Sequence, residues 1–211
     1  MKIALVAATG NIGSQIAARA LQRGHQLTAI ARGARTLSPE LAGATLAVAA
    51  LDDADALAAA VRGHDVLASA YGPGAADAGT IVAATRQLIA AARAAGVRRV
   101  VVVGGAGSLE MAPGVQLVDS PTFPVAYRPY AIAHRDALGL LRAAPDLDWT
   151  FFAPAAEIGP GEALGRFRTG AASLIVGADG HSRISYPDYA QAFVDEIETP
   201  RFARQVATVA Y

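Results

Sequence analysis

Cysteine is missing from all 211 positions. That removes disulfides, thiol catalysis and cysteine-ligated zinc or iron–sulfur centres, and it fits a reducing compartment. Net charge is missing as well, since 18 basic residues balance 18 acidic ones. The basic residues are scattered and form no stripe able to follow a phosphate backbone, so no nucleic-acid partner is expected. No apolar run approaches the roughly 18–20 residues needed to cross a bilayer, so no membrane partner is expected either. His-Glu-x-x-His and Gly-x-Ser-x-Gly are both absent, which sets aside zincin-type metal chemistry and α/β-hydrolase chemistry. Hydrophobic residues, by contrast, make up 53% of the chain, too many for disorder. A chain of this size buries about 70% of its unfolded surface in one core without a covalent or metal staple.

Short apolar runs alternate with amphipathic stretches. Strands are expected over 3–8, 26–31, 45–50, 65–70, 100–103 and 149–153, and helices over 11–23, 54–61, 79–95 and 130–143. Gly24 and Gly96 stand where helix C-caps belong. The run Val100-Val101-Val102-Val103 shows no alternation, as in a strand buried on both faces. Strands separated by helices imply right-handed β–α–β units, hence an α/β, Rossmann-like doubly wound parallel sheet. After Pro154 the chain is richer in glycine, with strand-like pieces at 166–168, 174–176 and 183–185, a helix over 188–198 and a last strand over 206–210. Residues 155–211 read as a small substrate-side lobe of a single domain spanning 1–211. The run 3–8 also resembles the start of a secretory leader, but Gly10, Asn11, Gly13, Ser14 and Gln15 interrupt it. A cytoplasmic location is therefore expected.

The first strand-to-helix turn reads Ala7-Ala8-Thr9-Gly10-Asn11-Ile12-Gly13. A helix N-terminus offers free N–H donors and a positive dipole end to a pyrophosphate. Gly10 would admit the phosphates close to the main chain, and Gly13 would let the helix lie close to the sheet. About 20 residues on, an NAD site carries an acid for the ribose 2′-hydroxyl; here the segment Thr28 to Arg35 has no acid but contains Arg32 and Arg35. A guanidinium suits a 2′-phosphate, so the cofactor expected is NADP(H) rather than NAD.

These residues, together with Ala31-Arg32, Ala70-Tyr71-Gly72, Val103-Gly104-Gly105-Ala106-Gly107-Ser108 and Leu147-Asp148-Trp149-Thr150-Phe151-Phe152-Ala153-Pro154, carry a resemblance over essentially the whole chain. The sequence resembles the atypical short-chain dehydrogenase/reductase group. Within it, the chain is similar to the NAD(P)H-binding proteins related to flavin reductase/biliverdin-IXβ reductase and to NmrA-like proteins. The resemblance implies a bound nicotinamide dinucleotide and hydride transfer. It puts Leu51 and Asp52 near the adenine, and Ala70, Tyr71 and Gly72 beside the ribose and pyrophosphate. Gly104 joins the cofactor-binding set, and Ala153 and Pro154 approach the nicotinamide. Two positions depart from the wider superfamily. Ala7 stands where a glycine is usual. The Ser and Tyr-x-x-x-Lys of full dehydrogenases are replaced by Gly104-Gly105, with a serine only at Ser108, and by Tyr130 with His134 at the lysine position.

Lysine keeps a constant charge beside a catalytic tyrosine, whereas histidine titrates near 6.5 and would be only partly charged. Tyr130 and His134, at i and i+4, read either as a modified acid/base pair or as a structural pair. Ser108, on a loop at the ligand-binding edge of the sheet, reads either as a substrate contact or as part of a turn. Tyr71-Gly72-Pro73-Gly74 could turn over the cofactor. Phe123, Pro124 and Tyr127 lie in a segment suited to a lid whose aromatics stack on a flat acceptor. His25 and His64 fall on the opposite edge and read as structural, and His181 as solvated. A small-molecule substrate is expected, with a homodimer through the alanine-rich helix at 79–95 as the possible assembly. Two functions compete: an NADPH-dependent reductase of a flat or carbonyl acceptor, and a dinucleotide sensor without catalysis. An epimerase-type enzyme comes third, because it needs the complete acid/base pair.

Overall fold

The computed structural model describes residues 1–74 and 77–211. Its first half is a regular alternation of β1 (Lys2–Val6), α1 (Asn11–Gln22), β2 (Gln26–Ala31), β3 (Thr45–Val48), α2 (Ala54–Val61), β4 (Val66–Ser69), α3 (Thr80–Ala95) and β5 (Arg99–Val103). A short hairpin follows, β6 (Glu110–Ala112) and β7 (Val115–Gln116), then α4 (Arg128–Arg142) and β8 (Asp148–Ala153). The remainder holds β9 (Glu157–Gly159), β10 (Arg168–Ala171), β11 (Arg183–Ser185), α5 (Tyr186–Glu198) and β12 (Gln205–Ala210).

Eight strands form one sheet in the order β10-β12-β8-β5-β4-β1-β2-β3, parallel throughout except for β10, which runs against β12. This is the doubly wound α/β, Rossmann-like fold. Each central strand sends alternate side chains to opposite faces, and both faces are apolar because helices cover both. Ile3, Leu5, Val101 and Phe152 belong to the core shared with α1 and α5. Ala4, Val6, Val100, Val102 and Phe151 belong to the core shared with α2, α3 and α4. Phe152 meets Tyr189 and Phe193 of α5 edge-on at 5.5 and 5.7 Å, and the buried Tyr189 hydroxyl donates to the Phe152 carbonyl at 2.6 Å. α1 and α3 end on Gly24 (φ 77°) and Gly96 (φ 73°), whose left-handed backbone closes each helix without a Cβ penalty.

The C-terminal stretch departs from the expected strand pattern in two places. The piece at 166–168 starts later, as β10, at Arg168, the first residue to pair with β12, opposite Ala210. Residues 174–176 are not a strand at all. Glu110 and the 172–174 segment exchange two hydrogen bonds, Glu110 N–H to the Ala172 carbonyl and Leu174 N–H to the Glu110 carbonyl, which draws the segment off the sheet plane towards β6. The apolar face of α3 is taken up by α2 and α4; Ala83, Arg86, Ala90, Arg93 and Ala94 are what it leaves exposed.

The edge of the sheet formed by strand N-termini carries structural polar contacts. Arg99 of β5 pairs with the buried Glu196 of α5 at 2.8 Å, and Thr150 donates to the same carboxylate at 3.0 Å. His25 pairs with Glu198 at 2.7 Å, and His64 lies 2.8 Å from the Thr28 hydroxyl. These histidines are thus engaged on the edge opposite the strand C-termini.

Candidate functional site

The strand order reverses between β1 and β4, so the loops leaving these strands diverge to opposite faces and leave a crevice at their C-terminal ends. The loops that meet there are the turn after β1, the arginine loop after β2, the start of α2, the 70–74 segment after β4, the glycine loop after β5 and the segment after β8.

The turn after β1 is tight. The Ala7 carbonyl accepts the Gly10 N–H at 3.1 Å, and Ala7 itself is held at φ 60°. That left-handed backbone costs an L-residue roughly 1–2 kcal/mol, which a glycine at this place would avoid. The two glycines then separate in role. A Cβ on Gly13 would be driven into the Ala7 carbonyl, so this residue brings α1 against the turn. A Cβ on Gly10 would meet nothing nearer than 3.5 Å. The protein itself therefore does not require glycine at position 10, which leaves ligand approach as its physical reason. α1 has no side-chain cap and no acid in its first turn, whereas Asp53 caps α2 and Ser185 caps α5. The first-turn amides of α1, from Asn11, Ile12 and Gly13, are thus left for an anion.

A cleft of about 270 Å³ opens beside this turn. Thr9 and Gly10 line one side, Arg32 and Arg35 a second, Leu51 the floor, and Tyr71, Gly72 and Pro73 the far wall. Arg35 donates to the Thr9 hydroxyl at 2.8 Å, which ties the arginine loop to the turn. Ala70 continues the ladder through its N–H to the Val6 carbonyl. Asp52 is exposed and lies outside the cleft, and its neighbour Asp53 accepts the Ala56 N–H at 3.0 Å as the α2 cap. Open helix amides, two guanidiniums and an apolar floor suit the phosphates and adenine of a dinucleotide. The residues present therefore fit the expected cofactor.

The other half of the crevice differs from a dehydrogenase site. A Cβ on Gly104 would enter the Phe151 ring, one on Gly105 would come within 2.9 Å of the His134 ring, and one on Gly107 within 2.6 Å of the Ala131 methyl. These glycines admit α4 and the core; they do not make the loop flexible. His134 points into this contact, edge-on to Phe151 with ring centroids 6.2 Å apart. Burial pushes its pKa down to about 4, so the imidazole is neutral at pH 7. Tyr130 packs on the cluster of Ala78, Ile81, Ala133 and Ala137 between α3 and α4. The pair shares a helix, but a neutral His134 brings no charge to the position where dehydrogenases of the resembled group carry a lysine. Pro154 is buried at the end of β8.

Ser108 is 2% exposed, and its hydroxyl is one of three side-chain atoms among the described residues that are buried without a partner. An unsatisfied buried hydroxyl costs roughly 1–3 kcal/mol. Ser108→Ala is therefore expected to leave turnover unchanged and to hold or raise stability by about 1 kcal/mol. Thermal melts and a rate measurement on the variant check this, and a loss of rate tenfold or more would show the hydroxyl at work.

A second, larger pocket of about 800 Å³ lies past the end of β8. Tyr127 stands on one side, the 156–164 segment forms the wall, and Ile184, Ser185 and Tyr211 close the back. Of these, only Tyr127 is expected from the sequence. The Gly159-Pro160-Gly161 turn marks the wall, but nothing local says that Ser185 and Tyr211 face it. His181 is exposed on the neighbouring loop, 3.5 Å from Glu157.

A model of the family described as NAD(P)H-binding matches residues 7–200. The fold superimposes on that of a Burkholderia pseudomallei protein proposed to be exported, with 58% identity, a TM-score of 0.94 and full coverage of both chains. A Bacteroides thetaiotaomicron protein proposed to be an epimerase is 34% identical, with a TM-score of 0.89 over 100% of this chain and 96% of that one. A Streptococcus pneumoniae protein proposed to be an NADH-flavin reductase is 31% identical, with a TM-score of 0.89 over 100% of this chain and 99% of that one. Among the described residues, no helix is long and apolar enough to cross a membrane, and no group of three or more His, Asp or Glu is placed to hold a metal.

Proposed function

The chain belongs to the NAD(P)H-binding family, and from that premise we propose that it is an NADPH-dependent reductase passing a hydride to a flat or carbonyl acceptor such as a quinone or flavin. The observation that carries the reading is the pairing of an arginine-lined dinucleotide cleft with a separate open pocket past β8. The bound dinucleotide supplies the hydride. The amides of Asn11, Ile12 and Gly13 bind its pyrophosphate, Thr9 and Gly10 border it, and Leu51 bears on the adenine. Arg32 and Arg35 take the 2′-phosphate. Tyr71 and Gly72 flank the ribose, and Gly104 and Pro154 bound the nicotinamide end. Positioning of donor against acceptor provides the rate, since acceptors of this kind can take their proton from water. The similarity to a protein proposed as an NADH-flavin reductase supports a flat acceptor; the two arginines are the reason to propose NADPH here.

Arg32→Ala is expected to weaken NADPH binding about 10- to 100-fold, the equivalent of one charge-assisted contact of roughly 1.5–3 kcal/mol, and to leave NADH within threefold. Titration of both cofactors by fluorescence measures this, and equal affinities before and after the change refute the preference. One observation favours a second reading, a redox sensor without catalysis: His134, at the lysine position, is neutral at pH 7. NADPH with a panel of quinones, flavins and aldehydes decides between them. Turnover supports the reductase; tight binding with no turnover on any acceptor supports the sensor. The epimerase reading needs the acid/base pair and is disfavoured by the same histidine.

A further inference from the structure

The Asp188 carboxylate is fully buried at the third position of α5, and no cation contacts it among the described residues. A buried carboxylate is costly unless hydrogen bonds replace its water. Here they do. Oδ2 accepts the Leu164 N–H at 2.8 Å and the Tyr211 hydroxyl at 2.8 Å, and Oδ1 accepts the Gly165 N–H at 3.0 Å. The N-terminal dipole of α5 favours the negative charge as well. Ser185, the α5 N-cap, accepts the Asp188 N–H at 3.3 Å and donates its own N–H to the Tyr211 oxygen at 3.2 Å. Burial and the Asp188 charge push the Tyr211 phenol above its ordinary range, so it stays a neutral donor.

Two of those donors are not part of the core. Leu164 and Gly165 end the segment that walls the 800 Å³ pocket, and Leu164, Glu162 and Gly161 line it. Gly161 also sits tight on α5, its Cβ position 3.2 Å from that of Ser185. Between these two anchors, residues 162–163 have no backbone partner of their own within the main sheet. Gly165 turns at φ 65°, which aims both amides inwards.

We propose that Asp188 is the positioning residue of the acceptor pocket: its carboxylate holds the 161–165 segment as a fixed wall against which the acceptor rests. The proposal rests on reading this pocket as the acceptor site. A carboxylate suits the task because both its oxygens accept; an asparagine at the same place presents an NH₂ to one of the amides and repels it. An acceptor held against a fixed wall loses less entropy on binding, so a loosened wall raises KM for the acceptor before it touches the hydride step.

The test uses the full chain with Asp188→Asn and, as a variant that leaves the core untouched, Gly165→Ala, which strains the left-handed turn. Amide exchange, NADPH affinity and steady-state kinetics with menadione are measured. Expected in Asp188→Asn is exchange at the Leu164 and Gly165 amides at least 100-fold faster, with β1 and α1 amides unmoved. Menadione KM should rise about tenfold, with kcat and NADPH affinity changed less than twofold. Gly165→Ala should move Leu164 exchange and KM in the same direction by a smaller factor, and it decides the matter if Asp188→Asn fails to fold. Protected amides at 164 and 165 in either folded variant overturn the proposal, as does a fall in kcat at constant KM. Should the wild type reduce no acceptor at all, the reductase reading fails by that result, and the wall stands or falls on exchange alone.

Discussion

Gly13→Ala should lower the melting temperature by roughly 6–12 °C, while Gly10→Ala should move it by less than about 3 °C and weaken dinucleotide binding at least tenfold. The two glycines lie three residues apart on one turn, yet their surroundings are opposite. The methyl of Gly13→Ala would overlap the Ala7 carbonyl, a backbone atom that cannot swing aside. Either α1 shifts outwards from the sheet or the turn opens, and overpacking of this kind costs about 3 kcal/mol. Ala7 is already in a strained conformation, so the turn has little freedom left. Gly10, at φ −79° and ψ 173°, has a backbone that any residue adopts, with open space at its Cβ. Its methyl would instead stand where a phosphate must come close to the amides, and a loss of at least tenfold in NADPH affinity is expected. Calorimetry for stability and titration for affinity separate the two effects. Equal behaviour of the variants in both measurements would refute the division of roles.

Stability should also fall as the pH drops from about 6.5 to 4, and His134 should account for much of the fall. Its folded-state pKa, about 4, lies below the ordinary value of 6.5, so the unfolded chain binds this proton more readily than the folded one. The folded state is thus favoured fully above about pH 6.5 and loses that advantage as the pH falls towards the folded value. The difference corresponds to at most roughly 3 kcal/mol, and the ring's partial contact with solvent reduces it. The measurement is a pair of melting curves, at pH 7 and pH 4, for the wild type and for His134→Leu. The wild type should lose several degrees more than the variant between the two pH values. Parallel losses would assign the acid sensitivity to other groups.

Much of the site was legible because its signals are local. The turn 7–13 is a contiguous stretch whose chemistry follows from a helix start after a strand, and Arg32 and Arg35 follow the next strand directly. The cleft joins these residues with Leu51, Tyr71 and Gly72. The glycine loop misled for the same reason. From residue types alone, Gly104 and Gly105 read as a departure from a catalytic serine, and Ser108 as a substrate contact or part of a turn. The cause of Gly104, Gly105 and Gly107 is the approach of Phe151, His134 and Ala131 from elsewhere in the chain. Tyr130 and His134 read either as an acid/base pair or as a structural pair, and what decides between them is what α4 packs against, which is not written in α4. The helix at 188–198 was legible, but its cap, Ser185 accepting the Asp188 N–H, was not singled out. The hold of Asp188 on residues 164 and 165 depends on a loop more than twenty positions away.

The placement of β12 has a consequence for how the chain is made. The strand runs between β8 and β10, with its buried residues entering both cores. Until residues 205–210 leave the ribosome, β8 presents an unpaired parallel edge that carries Phe151 and Phe152, and β10 has nothing to pair with. An emerging chain can therefore assemble β1 to β5 early but waits for residues 205–210 to fill the place between β8 and β10. In that interval the β8 edge is where another nascent chain, or a chaperone, would attach.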